Sequence, residues 1–271
     1  MRCAAAISLA LASALAQAQG VVPPLADIEP HAPVVASTDS LIIAGQWDHL
    51  SAVRGGGGGS GDWIHAATDG TTLSAGIATF AIGSSRWTLV RAGASLRPFD
   101  RVIVAGQASF GSGRDDDKDF VYRMVNIGGS YRLTPTIYLK LEDQYVDIGA
   151  TRGHLPKAGV SLVLSSSLLA GIDYARAAGA NFDARIVSGR VDWQLRAVRL
   201  FGGFAHGRTA PGTVNAAIGT EPADKALREG FAGAAVPVAR AEVTLSADWL
   251  KLDEVRRRTL MFSVRFPLAG S

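Results

Sequence analysis

Cysteine and long apolar runs are nearly absent from this chain. The 271 residues include one cysteine, Cys3, and no run of about 18 apolar residues follows the N-terminal segment. These absences exclude zinc fingers, cysteine nucleophiles and a disulfide framework, as well as a transmembrane helix, from the rest of the chain. The net charge is only +3. Because nucleic-acid-binding proteins carry a strong, clustered basic excess, we predict no nucleic-acid partner.

The motifs of common enzymes are missing as well. None of the five histidines has H-x-x-E-H or H-E-x-x-H spacing, and no G-x-S-x-G sequence occurs. The glycine run at 55–59 lacks the spacing and the following Lys-Ser/Thr of a phosphate-binding loop. We therefore predict no catalytic residue, no metal and no cofactor, and we expect that the protein is not an enzyme.

The N-terminal 37 residues carry the features of an export segment and a linker. Arg2 precedes an Ala/Leu-rich stretch that ends in small residues, and Ala14-Leu15-Ala16 and Ala16-Gln17-Ala18 both fit the A-x-A cleavage rule. Residues 1–18 are therefore predicted to be a signal peptide. Four prolines in residues 19–37 disfavour helix and central strand, so we predict a Pro-rich periplasmic tether there. The third predicted segment, 38–271, is the folded domain.

From Thr38 onward, apolar and polar residues alternate in segments separated by turn-forming residues. Residues 241–249 and 256–268 alternate strictly, which indicates strands whose two faces meet different environments. Several segments alternate over about 10 residues, longer than the ~5–6 of an ordinary strand and as long as a tilted transmembrane strand. We predict about 14 strands, at 40–50, 61–68, 71–82, 85–96, 101–111, 119–132, 136–148, 156–164, 167–177, 184–195, 197–207, 230–237, 240–250 and 255–268. Loss of a hairpin at the weaker segments 85–96 or 230–237 would leave 12.

The connections between these strands fall into two alternating sets. The longer, polar or glycine-rich set is 51–60, 112–118, 149–155, 178–183 and 208–229; the short set is 69–70, 97–100, 134–135, 165–166, 196 and 239. Short periplasmic turns and long outer loops are typical of bacterial outer-membrane barrels. Aromatic residues near strand ends resemble the interfacial girdles of such barrels: Trp47, Trp63, Trp87, Tyr131, Trp193, Trp249 and Phe266.

These patterns predict an all-β fold, an antiparallel transmembrane β-barrel in the cell outer membrane of a Gram-negative bacterium. Outer-membrane lipids would then be its immediate partners. A periplasmic β-sandwich with a polar outer face is the alternative, because both folds alternate. Two features of the outer loops are also predicted. Gly55–Gly59 is interpreted as a flexible loop. In the longest loop, 221–229 has the composition of a short helix that would fold into the pore mouth, although a mobile surface loop is favoured.

If the apolar face contacts lipid, the polar face lines the interior. The predicted lining residues are Gln46, Asp48, Arg101, Lys140, Glu142, Arg190, Asp192, Arg199, Glu242, Asp248, Arg257 and Arg265. Their charges are mixed, whereas a conduit for ions of one sign would show rings of one charge. A mixed lining fits a conduit for a neutral or weakly charged solute such as a glycan. It fits equally an interior closed by its own ion pairs.

The layout resembles the YaiO-like outer-membrane β-barrel family, and more loosely the barrel domains of exopolysaccharide secretion porins. The resemblance rests on the strand 41–50 followed by a glycine run and Gly61-Asp62-Trp63, and on the stretches 138–147 and 201–208. It implies a passage for exopolysaccharide that works with a periplasmic scaffold protein. Three functions follow as hypotheses: a porin-like conduit for polysaccharide or small solutes, a closed structural or receptor barrel that binds partners through its outer loops, and, least favoured, a barrel enzyme acting on lipid or glycan.

Overall fold

The computed structural model describes residues 38–51, 55–67, 70–82, 85–115, 118–148, 151–179, 183–209, 225–253 and 255–268. Within these ranges, 14 strands form one closed antiparallel barrel. The strands are β1 (Thr38–Leu50), β2 (Gly56–Ala66), β3 (Thr72–Ile82), β4 (Ser85–Phe99), β5 (Val102–Asp115), β6 (Lys118–Thr134), β7 (Ile137–Ile148), β8 (Thr151–Ser165), β9 (Leu168–Arg176), β10 (Ala184–Leu195), β11 (Val198–Thr209), β12 (Lys225–Val238), β13 (Ala241–Leu252) and β14 (Val255–Pro267).

The predicted fold class and the count of 14 strands are confirmed, and the sandwich and the 12-stranded alternatives are wrong. The weak segments 85–96 and 230–237 lie in complete strands, β4 and β12. The predicted signal peptide and tether lie outside the described residues. In the part of the chain that the structure describes, no helix has the length and apolarity needed to cross a membrane.

The barrel closes between its first and last strands. β1 pairs with β14 from Ser40, opposite Pro267, to Leu50, opposite Arg257, and each other strand pairs with its neighbours in the chain. Closure leaves no sheet edge and satisfies the backbone within the barrel, as a lipid environment requires. Fourteen strands spaced ~4.8 Å apart and tilted by ~40° place opposite backbones about 28 Å apart.

The two ends of the barrel differ in their connections. We call the end that carries Thr38 and Pro267 the periplasmic end and the opposite end the outer end. Several periplasmic connections are two-residue turns; Arg196 and Ala239 adopt positive φ values of 52° and 55° in two of them. These turns lie at or beside the predicted short connections, so the predicted alternation of hairpins is confirmed at this end.

Most outer connections are shorter than predicted, because the strands continue into them; the connection between β9 and β10, 177–183, is not. Gly56–Gly59 belongs to β2, and residues 151–155 and 225–229 begin β8 and β12, so the predicted flexible glycine loop and the helix over 225–229 are wrong. The remaining residues of that predicted helix, 221–224, lie outside the described residues. The glycines have a packing role: a Cβ at Gly58 would collide with the ring of Phe80. The run therefore makes room for a large side chain on the next strand.

Side chains alternate between an apolar outer surface and the barrel interior. Most of the exposed aromatic residues of the described strands lie in two belts on the outer surface, as in membrane barrels. The periplasmic belt contains Trp63, Phe99, Tyr131, Trp193 and Phe266, and the belt nearer the outer end contains Trp47, Tyr174 and Trp249. Trp87 is a correction to the predicted girdle. It is 2% exposed and stacks on Phe80 inside the barrel.

Candidate functional site in the barrel interior

Among the described residues, the interior carries four groups of charged side chains, each held by two or more strands. Two of these groups include an ion pair that passes over an intervening strand. One group joins β10 to β11, and one spans β12, β13, β14 and β1. The register of the sheet brings most of these residues together across strands, whereas the charges of the β10–β11 group come from a single hairpin.

The first group is the ion pair between Asp62 on β2 and Arg91 on β4. Arg91 donates from Nε and Nη2 to the two carboxylate oxygens of Asp62, and the side chains are 9% and 4% exposed. The pair crosses β3 at Gly76, which is in register with both residues. A Cβ on Gly76 would collide with the Asp62 carboxylate. Glycine at this position therefore allows the bidentate pair to form.

A second crossing pair lies between β7 and β9. Lys140 Nζ is 2.7 Å from Asp173 Oδ1, and the pair passes over Gly159 of β8, which is in register with both. A Cβ on Gly159 would again collide with the aspartate. Beside it, Lys157 Nζ is 2.9 Å from Glu142 Oε2. These side chains are 16–31% exposed, so water reaches this wall.

The third group, on β10 and β11, centres on Asp192. Its carboxylate accepts from Arg190 Nε at 2.6 Å and from Arg199 Nη2 at 2.7 Å. The guanidinium of Arg190 also lies 5.7 Å and 5.9 Å from the ring centres of Phe201 and Phe231, within range of a cation–π interaction. Two cations and one carboxylate leave this wall with an excess positive charge that is partly accessible to water.

The fourth group surrounds Arg257, which has a side chain 0% exposed. Its Nη2 donates to Asp248 at 2.9 Å, and the carboxyl of Glu229 lies beside that of Asp248. Thr259 Oγ1 donates to Asp48 at 2.6 Å, and Gln46 Nε2 donates to the same carboxylate at 2.7 Å. Three carboxyl groups thus lie around one guanidinium, which offsets the cost of burying it.

Toward the outer end, the interior is apolar and closely packed. This outer-end apolar group consists of Leu50, Phe80, Trp87, Leu89, Tyr122, Val146, Leu227, Leu250 and Leu252. This group explains why the alternation of apolar and polar residues is weak in β4. Trp87 and Leu89 point inward with Arg91, while Val90 points outward, so apolar residues occupy both faces of that strand.

The predicted lining residues divide into two sets. Nine belong to the four charged groups: Gln46, Asp48, Lys140, Glu142, Arg190, Asp192, Arg199, Asp248 and Arg257. The other three lie toward the periplasmic end: Arg265 donates to Ser40 Oγ at 3.2 Å, Glu242 is an exposed residue of β13, and Arg101 is exposed in the turn after β4. Sequence reasoning missed Asp62, Arg91, Lys157 and Glu229.

The accessibility of the interior is uneven, and this limits what the site can do. The wall from β7 to β11 carries water-accessible charges of both signs, while the Asp62–Arg91 pair and the Arg257 group are sealed. Among the described residues, no cluster of His, Cys, Asp and Glu is arranged to hold a metal ion. The arrangement suits transient hydrogen bonding and ion pairing along the β7–β11 wall.

No family model matches the chain, and no curated protein matches it. Many solved structures share its fold. The CymD monoaromatic hydrocarbon channel is 12% identical, with a TM-score of 0.61 over 87% of this chain and 89% of that one. The Pseudomonas putida toluene transporter TodX is 11% identical, with a TM-score of 0.61 over 89% and 92%. The outer membrane protein Omp33 of Acinetobacter baumannii is 13% identical, with a TM-score of 0.54 over 84% and 99%.

The fold is that of the outer-membrane β-barrels. The predicted location in the cell outer membrane of a Gram-negative bacterium agrees with it. At these identities, the likeness concerns the path of the backbone and not the interior side chains. Membership in the YaiO-like family stays a prediction.

Proposed function

We propose that this barrel is a porin-like conduit for small solutes that carry little or no net charge, with the path along the β7–β11 wall. The observation that carries the proposal is the unequal burial of the interior. One wall presents water-accessible charges of both signs, while the opposite side is sealed around Arg257. Opposite backbones are about 28 Å apart, which leaves room for a solute beside the packed half.

The charge pattern of the wall supports weakly charged solutes. Lys140, Lys157, Arg190 and Arg199 face Glu142, Asp173 and Asp192 in local pairs, so no ring of one sign selects anions or cations. Paired charges offer donors and acceptors to a solute without holding it strongly. The neighbours CymD and TodX are named as channels or transporters for monoaromatic hydrocarbon and toluene, which supports small-molecule transport by this fold.

Polysaccharide is the second candidate solute. A glycan needs many hydrogen-bonding groups along its path, and the β7–β11 wall supplies them on five adjacent strands. The resemblance to the YaiO-like family favours the same substrate class, with a periplasmic scaffold protein as partner. A closed barrel that acts through its outer loops is the competing function, and the sealed Arg257 group favours it.

Conductance across a planar lipid bilayer tests the proposal. We expect steady ohmic steps from the refolded protein. The double variant Lys140→Gln/Lys157→Gln removes two accessible interior cations and should shift ion selectivity toward cations. The matched control Arg228→Gln/Lys251→Gln removes two cations from the outer surface and should leave selectivity unchanged.

The outcomes separate the candidates. A folded barrel that never conducts would contradict the conduit and support the closed barrel. Conductance with unchanged selectivity in the Lys140/Lys157 variant would place the path elsewhere in the interior. Block of the current by oligosaccharides, but not by monosaccharides, would support polysaccharide. Flux of small neutral solutes in liposome swelling, without oligosaccharide block, would support small solutes.

A further inference from the structure

The outer surface of strands β9 to β14 carries an unusual concentration of positive charge. Its outward positions hold seven cationic side chains and no carboxylate, and all seven cations lie toward the outer end. Six of them form a row across six adjacent strands, one to a strand. This basic row consists of Arg176, Arg185, Arg208, Arg228, Lys251 and Arg256.

The register places these cations beside one another. Arg185 lies directly opposite Arg176 on one side and Arg208 on the other. Lys251 lies directly opposite Arg228 on one side and Arg256 on the other. Like charges directly opposite in a sheet repel each other. The arrangement is therefore unfavourable unless an anion lies against the row.

Few protein groups neutralise the row. Among the described residues, Arg176, Arg228, Lys251 and Arg256 make no ion pair and no side-chain hydrogen bond. The carboxylate nearest to Arg185 is that of Asp183, 4.0 Å away and itself well exposed. All six side chains of the row are exposed. The negative charge that is missing at Arg176, Arg228, Lys251 and Arg256 must therefore come from outside the described residues.

A contrasting sector lies on strands β5 to β8. There the outward cations have partners: Arg114 is 2.8 Å from Asp119, Arg123 is 3.7 Å from Asp147, and Arg152 Nε donates to Tyr145 Oη at 3.0 Å. At the tip of the β5–β6 hairpin, Arg114 also lowers the pKa of Asp119. We call this the paired sector. The barrel thus compensates the outward cations of the paired sector, whereas Arg176, Arg228, Lys251 and Arg256 of the row make no ion pair among the described residues.

The height of the row points to a lipid as the missing partner. The row lies just beyond the outer aromatic belt: Arg176 follows Tyr174, and Lys251 follows Trp249, by one outward position each. Aromatic belts mark the level of the lipid headgroups. A cation one step further out is therefore at the level of headgroup phosphates, which guanidinium groups bind with paired hydrogen bonds.

We propose that the basic row binds the phosphate groups of lipopolysaccharide, the phosphorylated glycolipid of the outer leaflet, and so fixes that lipid against strands β9 to β14. The phosphates of a bound lipid would lie between neighbouring cations and offset their mutual repulsion. The barrel would then carry one face with ordered lipid and one face, the paired sector, with ordinary lipid contact.

The test compares Arg228→Gln/Lys251→Gln/Arg256→Gln with a control triple in the paired sector, Arg114→Gln/Arg123→Gln/Arg152→Gln. Both remove three outward cations and leave the interior intact. The thermal midpoint of each full-length barrel is measured in zwitterionic detergent, with purified lipopolysaccharide, with the same glycolipid after removal of its phosphates, and with inorganic phosphate. Native mass spectrometry counts bound lipid.

We expect the effect of the row variant on the thermal midpoint, relative to wild type, to change sign between detergent alone and lipopolysaccharide. In detergent alone, the row variant should unfold at a higher temperature than wild type, because repulsion within the row is relieved. The row variant should bind lipopolysaccharide at least tenfold more weakly than wild type. It should therefore lose most of the increase in thermal midpoint that lipopolysaccharide gives wild type, whereas the control triple should keep that increase. The charge-conserving variant Arg228→Lys/Lys251→Arg should also keep it.

Three results would overturn the proposal. The first is equal binding by the row variant and wild type, and the second is equal loss in the control triple. The third is an equal response of wild type to the dephosphorylated glycolipid, or to inorganic phosphate at the same phosphate concentration. The last of these would indicate a simple anion site instead of a lipid site.

Discussion

Gly76 offers a direct test of how the interior is built. In wild type it lies between Asp62 and Arg91, in register with both, and leaves the space that their ion pair crosses. The substitution Gly76→Ala adds one methyl group where the Asp62 carboxylate lies. The carboxylate must then move away, and the guanidinium of Arg91 loses both of its bonds to it.

The size of the effect follows from the burial of the pair. The two side chains are 9% and 4% exposed, so water does not replace the lost bonds. Breaking a buried ion pair so that a charge stays unpaired costs about 3–5 kcal/mol. A displaced carboxylate keeps part of the attraction, whereas alanine in a strand regains about 0.5–1 kcal/mol relative to glycine. We therefore expect Gly76→Ala to lower the free energy of unfolding by about 3 kcal/mol.

Urea unfolding in lipid vesicles, followed by tryptophan fluorescence, measures this loss. Gly61→Ala is the matched control, because it lies next to Asp62 in β2 and a Cβ there meets no atom within 4 Å. The control should change stability by less than about 1 kcal/mol. In the Asp62→Ala/Arg91→Ala background, Gly76→Ala should cost much less, because only the contact of its Cβ with the backbone oxygen of Gly61 remains. Equal effects of Gly76→Ala and Gly61→Ala, or an undiminished cost of Gly76→Ala without the pair, would refute the reasoning.

Two further predictions concern buried residues. Arg257→Met should lower the free energy of unfolding by about 3–5 kcal/mol, because Asp248 and its carboxyl neighbours lose the buried cation that lies beside them. The added substitution Asp248→Leu should recover part of that loss in the same urea assay, and an Arg257→Met that leaves stability unchanged would contradict the assigned pairing. Barrels with a single tryptophan should differ in quenching by brominated lipid: Trp249, on the outer surface, should be quenched, and Trp87, packed against Phe80, should not. Equal quenching of both would contradict the inward orientation of Trp87.

The strands could be predicted from the sequence because the barrel surface and its interior differ in polarity. Residues 241–249 and 256–268 alternate strictly, and they form β13 and β14 as expected. Two-residue turns also leave a local signal, since a position such as Arg196 interrupts two alternating segments. The strands therefore follow from patterns within about ten residues, whereas the preference for a barrel over a sandwich also used the aromatic positions and the alternating long and short connections.

The interior groups could not be predicted as groups, because they depend on register. Nothing near Asp62 in the sequence indicates that Arg91 lies two strands away at the same height. The residues next to Arg91 even suggest that its face of β4 is apolar, because its inward neighbours Trp87 and Leu89 are apolar. The same holds for the glycine run of β2, which looks like a loop until the ring of Phe80 is placed against Gly58.

The two strand-crossing pairs suggest where such information is encoded. Each consists of an aspartate, a glycine and a cation in direct register on three consecutive strands: Asp62, Gly76 and Arg91, and in the reverse order Lys140, Gly159 and Asp173. Any other residue at the glycine would fill the space the charges cross. Because each pair joins strands that share no backbone hydrogen bonds, it resists sliding of one strand past the next. Two of the four charged groups are therefore specified by three residues on consecutive strands, which become visible only when the strands are aligned in register.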